Sequence, residues 1–312
     1  MKTASAIESN ETPRPTLAIA GAGRVGSALA LLLAGGGWTI RGVWSRSPDP
    51  AGRLAQQVGA AAWTDPARLA EAQLVLLTVP DGAIASCCQA VAQAGGWRSG
   101  QGVVHCSGAV EVSALASAQA AGAVIGGFHP LQAFATVEAA LTVLPGSFFA
   151  LEGVGPLTRW LPALAESLNG TWQWLAPGAR PLYHAGAVFA SNYVVTLFSV
   201  GVNLLTQAGL TPTQASAALL SLTQGAVRNL ATVGLPAALT GPIRRGDAET
   251  IVRHLTALDA AAPALSDLYR SLAQQTLPLA QALNLDPQAL DALAQAVRVE
   301  SPSQEPQIVP DK

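Results

Sequence analysis

A strand, a glycine turn and a helix follow one another near the start of this chain, and that succession constrains everything after it. Thr16-Leu17-Ala18-Ile19-Ala20 reads as a strand, Gly21-Ala22-Gly23-Arg24-Val25-Gly26 as the turn, and residues 27–33 as a helix. A lone G-x-G-x-x-G carries little weight. Between a strand and a helix each glycine has a mechanical role. The first makes a tight turn, the second lets backbone approach a diphosphate, and the third lets helix pack closely on strand. The helix start adds free N–H groups and a positive dipole end. Gly21, Gly23, Arg24, Val25 and Gly26 are therefore candidates for holding a dinucleotide.

The pattern beyond the turn supports this. Short apolar runs at 16–20, 39–44, 60–63, 73–79, 102–106 and 123–128 alternate with alanine-rich helical stretches, as in a parallel sheet covered on both faces. Two more strands are expected at 147–151 and 171–175 around a helix at 155–168. Pro177-Gly178 marks the boundary, after which the chain reads as helices alone: 181–207, 211–233, 247–258, 263–283 and 286–297. The expected fold is α/β: a Rossmann-type, mostly parallel sheet at 16–177, followed by an all-helical domain at 178–298. Residues 1–15 and 299–312 read as a disordered lead-in and tail.

Half of the residues are apolar, 12% are charged and the formal net charge is −2. No basic face is available, which excludes nucleic acid as the expected partner. Three cysteines, Cys87, Cys88 and Cys106, show neither a disulfide framework nor metal-ligand spacing, which fits a reducing cytoplasm. Residues 185–205 are apolar enough for a membrane span. They also carry Ser191, Asn192, Tyr193, Thr196, Ser199 and Asn203, which favours a buried helix of a soluble protein. Between Pro181 and Thr240 the only permanent charge is Arg228. Water-facing helices are not normally so poor in charge, so a second copy is expected to cover them in a homodimer.

Several positions carry candidate chemistry. The second strand ends in Ser45-Arg46-Ser47, where an NAD enzyme usually has a carboxylate for the ribose hydroxyls. Arg46 and the two serines suit a 2′-phosphate, which favours NADP over NAD. Val79 and Pro80 end the fourth strand at the edge where ligands collect, and Asp81 is expected to cap the next helix. Ser107 and Gly108 end the fifth strand, within reach of cofactor or substrate. Lys2 and Lys312 are the only lysines, so a helix lysine cannot serve as acid or base. Histidine suits that role, with an ordinary pKa of about 6.5. Of four histidines, His129 lies at the carboxyl end of the sixth strand in Gly126-Gly127-Phe128-His129-Pro130. His184, with Ser191 and Asn192 about two turns later, forms a polar face on an apolar helix. Arg244 and Arg245, in a Gly/Pro loop at 240–247, could hold a substrate carboxylate. His105 reads as a brace of the sheet, and no metal site is expected.

Taken together these motifs resemble one family. Gly21-x-Gly23-x-x-Gly26, Thr78-Val79-Pro80-Asp81, His105-x-Ser107-Gly108-Ala109 and Phe128-His129-Pro130-Leu131-Gln132 recur in it. So do Tyr183-His184-Ala185, Ala190-Ser191-Asn192-Tyr193 and Leu239-Thr240-Gly241-Pro242-Ile243-x-Arg245-Gly246-Asp247. The chain is similar over about 16–285 to proteins joining a Rossmann-like half to the helical domain of unknown function 2520. That family is described as NADP-dependent oxidoreductases and is similar to the 6-phosphogluconate dehydrogenase superfamily, whose helical domains usually dimerise. The resemblance implies hydride transfer between nicotinamide and a small carbonyl, such as a keto acid, or an imine, in a cleft between the domains. His129 would be the leading acid/base, with His184 as the alternative donor, and Ser107 and Asn192 would position the substrate. His129-Pro130 and Ser107 look similar in position to a catalytic pair of prephenate dehydrogenases. A non-catalytic NADP-binding module that reports redox state through its dimer is the competing expectation.

Overall fold

The computed structural model of the chain describes residues 14–298; the lead-in and tail expected at the termini, apart from residues 14 and 15, lie outside the described residues. The strands are β1 (Leu17–Ala20), β2 (Ile40–Trp44), β3 (Ala61–Trp63), β4 (Leu74–Leu77), β5 (Gly102–His105), β6 (Val124–Leu131), β7 (Phe148–Glu152) and β8 (Thr171–Trp174). They form one sheet in the order β3-β2-β1-β4-β5-β6-β7-β8. The first six are parallel in the doubly wound order. β7 runs antiparallel to β6, with His129 opposite Ala150, and β8 is parallel to β7.

Strand composition follows from this placement. β1, β4 and β5 are fully buried, so they read as near-continuous apolar runs rather than alternating ones. Alternate residues feed opposite faces. Leu17, Ile19, Leu74 and Leu76 join one core with helices α1 (Arg24–Gly35), α2 (Pro48–Gln57), α5 (Val137–Val143) and α6 (Leu157–Ser167). Ala18, Ala20, Val75 and Leu77 join the other with α3 (Ile84–Gln93) and α4 (Ala116–Ala120). α5 was not expected; it is a seven-residue helix whose start is capped by the Thr136 hydroxyl, accepting from the Ala139 N–H at 3.1 Å. Asp81 does not cap α3. It opens a short 3-10 turn at Asp81–Ala83, and the helix starts without a side-chain cap.

The long helix expected at 181–207 is two helices, α7 (Arg180–Ala190) and α8 (Asn192–Gln207). At Ser191 the backbone leaves helical geometry (φ −125°, ψ −74°), and its N–H reaches back three residues to the Val188 carbonyl at 3.4 Å instead of four. The chain divides into two compact units, Met1–Val195 and Thr196–Lys312, so α7 packs with the sheet. The second unit contains α9 (Pro212–Val233), α10 (Gly241–Arg245), α11 (Ala248–Ala261), α12 (Ser266–Ala282) and α13 (Pro287–Ala296). Its core includes Ile243, Ile251, Leu255, Ala273, Ala280 and Leu293. Thr211 and Gln214 close a capping box at the start of α9. Residues 241–245 are helical rather than loop, because Pro242 presets the first turn and Gly246 ends it in a left-handed conformation (φ 76°).

The apolar helix also differs from expectation in its burial. Arg180–Gln207 is long and apolar enough to cross a membrane, and none of its most apolar 18-residue stretch is buried within the chain. Val195 is 70% exposed, and Leu222 on α9 is 69% exposed. Among the described residues these faces stand largely uncovered.

Candidate active site

The glycine turn is held by Thr78 at the end of β4. Its hydroxyl donates to the Gly21 carbonyl at 2.6 Å, and its N–H donates to Ala20 at 2.9 Å. Gly21 has φ +119°, and a Cβ there would come within 2.8 Å of the Thr78 carbonyl oxygen. A Cβ on Gly26 would overlap the Gly21 carbonyl and the Thr78 hydroxyl. At Gly23 the nearest atom is 3.9 Å away and the residue is exposed. Two glycines are thus closed against protein, and the middle one is open to a ligand at the first turn of α1. This is the arrangement a diphosphate needs. Ser45, Arg46 and Ser47 follow β2; Arg46 and Ser47 are exposed and Ser45 is half-buried. Val79 is half-buried and Pro80 exposed, just past β4 at the point where strand order reverses. The residues present fit a dinucleotide.

A cleft of about 780 Å³ opens beside this turn. Arg24 and Val25 line one side, and His129, Gln132, Phe134, Tyr183, His184, Ser191 and Asn192 line the rest, all within the first unit. Arg24 is fixed by donating from Nη1 to the Ala135 carbonyl at 3.0 Å. The structure therefore brings together His129, His184 and Asn192 with part of the cofactor turn. The break at Ser191 falls in the cleft wall.

His129 leaves β6 with its Nδ1 2.8 Å from the Tyr183 hydroxyl, the two rings edge to face at 5.6 Å. Burial, then the nearby Arg180 charge, then His184 and His105, lower the His129 pKa to about 4, so its ring is neutral near pH 7. Burial raises Tyr183 to about 12, keeping the phenol protonated. Tyr183 is half-buried, and where its hydroxyl donates to Nδ1 the ring proton sits on Nε2. His184 stands 6.5 Å from His129 between ring centres, and its buried Nδ1 has no hydrogen-bond partner. A Cβ on Gly108 would lie 2.7 Å from His129 Nε2 and 2.9 Å from His184 Nδ1. Glycine is required at 108 because two imidazoles fill that space.

Ser107 is buried and does not line the cleft. Its hydroxyl accepts from the N–H groups of Ala109 and Val110 at 3.1 and 3.0 Å, which shapes the turn carrying Gly108. His105 is buried on β5, and its Nδ1 accepts from the Ser107 N–H at 3.2 Å. Arg244 and Arg245 lie in the last turn of α10, in the second unit.

Sequence reasoning gave no role to Tyr183, Thr78 or Arg180, although Thr78 and Tyr183 stand in the motifs quoted above. Arg180 is a fully buried cation whose Nε pairs with Glu152 Oε1 at 2.5 Å, an ion pair without the alignment of a hydrogen bond. Its Nη1 donates to the Ser107 carbonyl. One signal was available: Arg180 is a charge two residues after the boundary dipeptide, at the start of a helix otherwise free of permanent charge.

Solved structures of other proteins share this fold. A crystal structure described as a "putative NADP oxidoreductase" from Bacteroides fragilis is similar at 27% identity, covering 84% of this chain and 98% of that one, with a TM-score of 0.64. A Thermotoga maritima protein shares the fold at 24% identity and TM-score 0.69, over 86% of this chain and all of that one. A reductive aminase from Aspergillus terreus, in complex with NADPH4, cyclohexanone and allyl amine, shares it at 20% identity and TM-score 0.56, over 91% of this chain and 93% of that one. Among curated proteins none matches the chain. Residues 1–130 match the Rossmann-like domain and residues 147–276 match the domain of unknown function DUF2520, so the chain carries both halves of the Rossmann-like/DUF2520 architecture.

Proposed function

We propose that this chain is an NADP-dependent oxidoreductase acting on a small carbonyl or imine compound in the cleft beside His129. The observation that carries the reading is the span of that cleft: Arg24 and Val25 of the glycine turn line one part of it, and the His129–Tyr183 pair lines another. The likeness to the Bacteroides fragilis protein supports NADP, as does Arg46 in place of a carboxylate. Gly21, Gly23, Gly26 and the first turn of α1 would hold the diphosphate, and Ser45, Arg46 and Ser47 the 2′-phosphate. Bound there, the reduced nicotinamide supplies a hydride. His129 Nε2–H would donate its proton to the substrate oxygen or nitrogen, Tyr183 would pass its own proton to Nδ1, and water in the cleft would reprotonate the phenolate. His184 and Asn192 would orient the substrate.

Titrating NADPH and NADH by nicotinamide fluorescence, then screening keto acids and cyclic imines with the tighter nucleotide, tests the reading. It expects NADPH to bind more tightly and at least one class to be reduced. Tight NADPH binding without turnover would select the redox-sensing module instead, and no nucleotide binding would sink both.

We also propose a homodimer covering the apolar helices, since Leu222 and Val195 stand mostly exposed in one chain. Sedimentation equilibrium of the full chain should give twice the monomer mass; a monomer would overturn it.

A further inference from the structure

Arg180 is the least expected side chain in the protein. A guanidinium cannot easily lose its proton, and taking it out of water is costly unless it is paired. Nothing in the acid/base chemistry above uses it directly. It nevertheless touches every element that carries that chemistry. Nη1 donates to the carbonyl of Ser107, in the turn after β5. Nε pairs with Glu152 at the end of β7. Nη2 lies against Gly127 of β6, where a Cβ would fall inside the guanidinium, and it has no hydrogen-bond partner. His129 is two residues beyond Gly127, hence on the same face of the strand. Tyr183 and His184 are three and four residues beyond Arg180, one helical turn along the same side of α7.

We propose that Arg180 is the positioning residue of the site, clamping the Ser107–Gly108 turn, β6 and the first turn of α7 so that His129 and His184 meet across Gly108. The clamp rests on the proposed role of His129. Its geometry explains why three distant stretches of chain need their local residue types. Gly127 leaves room for the fork, Gly108 leaves room for the imidazoles, and Glu152 balances the charge. The fork matters as much as the charge, because it reaches three directions at once. The charge also faces His129 and His105 and disfavours a proton on either. The other titratable groups around His129 are Tyr183 and His184 on α7, His105 on β5 and Glu152 on β7.

Two variants and one titration test the clamp. Arg180→Lys keeps the charge and loses the fork. Arg180→Met combined with Glu152→Gln removes both charges, so that no buried carboxylate is left alone and the chain can fold. Histidine-labelled NMR follows the His129 ring directly, without any need for turnover, and NADPH fluorescence reports on the glycine turn. With Arg180→Lys the His129 titration should stay low while kcat falls on the order of tenfold and NADPH affinity holds, as expected when one positioning contact is lost. With the double variant the His129 titration should rise by about one pH unit, the size expected for losing a nearby charge, and the acid limb of kcat/KM should move with it. A folded double variant with an unchanged His129 titration, or Arg180→Lys with undiminished kcat, overturns the clamp. A moved titration in a protein that reduces nothing keeps the clamp and removes the redox reading alone.

Discussion

His129 Nδ1 and the Tyr183 hydroxyl lie 2.8 Å apart, a bond that ties the end of β6 to the first turn of α7. With the phenol donating to Nδ1, the ring proton lies on Nε2 and Nε2–H is the donor. Tyr183→Phe should therefore lower kcat on the order of a hundredfold, as for loss of a proton-relay group. His129→Ala should lower it further. NADPH affinity should be nearly intact in both, because neither residue belongs to the glycine turn. Stopped-flow turnover beside fluorescence titration checks this; full activity in Tyr183→Phe would remove the relay.

Acid should destabilise this protein earlier than its carboxylates alone would suggest. His105 and His129 are both lowered to about 4 in the fold, chiefly by burial. In the unfolded chain each titrates at about 6.5. Between these values the unfolded state binds more protons, so stability is full above about pH 6.5 and is lost as pH falls towards 4. The loss is at most roughly 3 kcal/mol for each ring. Thermal melts from pH 7.5 to 4 should show a falling Tm, and His129→Gln should flatten part of that slope. A Tm independent of pH over this window would contradict the burial of both rings.

The three glycines of the turn should fail differently. Gly26→Ala places a Cβ on the Gly21 carbonyl and Thr78 hydroxyl, and should cost about 1–3 kcal/mol by overpacking. Gly23→Ala meets no protein atom closer than 3.9 Å and should fold normally, yet it should weaken NADPH at least tenfold by crowding the diphosphate. Melting curves and nucleotide titrations separate the two effects; a Gly23→Ala variant with native affinity would place the diphosphate elsewhere.

Arg46 should set the choice of nucleotide. Arg46→Ala removes the cation past β2 and should lower NADPH affinity by roughly tenfold or more, as for loss of a charge-assisted contact to phosphate, with NADH little changed. Competitive fluorescence titration of both nucleotides gives the ratio directly. Equal losses for both would make Arg46 a contact of the shared scaffold instead of the 2′-phosphate.

Much of the fold was legible from local pattern. All eight strands overlap the expected runs, β6 extending three residues further, because most are buried parallel strands with little freedom to be polar. α5 escaped notice since Val137–Val143 is short and gains its place from Ala140 and Leu144 packing into the core. The break at Ser191 escaped it too, since the apolar pattern continues across that residue. Among site residues, His129, His184 and Asn192 could be read from odd polar groups at strand ends and on an apolar helix. Tyr183 gave no role and Arg180 only the hint of a lone charge on an apolar helix, because a tyrosine or arginine at a helix start is ordinary until its partners are known.

The sequence by itself determined the strand-turn-helix opening, the alternation that makes a doubly wound sheet, and the need for something to cover charge-poor helices. Those follow from periods of two and 3.6 residues and from turn chemistry, which act over a few neighbours. Only the tertiary structure decided that Ser107, Gly127, Glu152 and Arg180 converge behind His129. Their contacts join β5, β6, β7 and α7 across as many as 73 residues of chain, and such contacts leave no local periodicity to read.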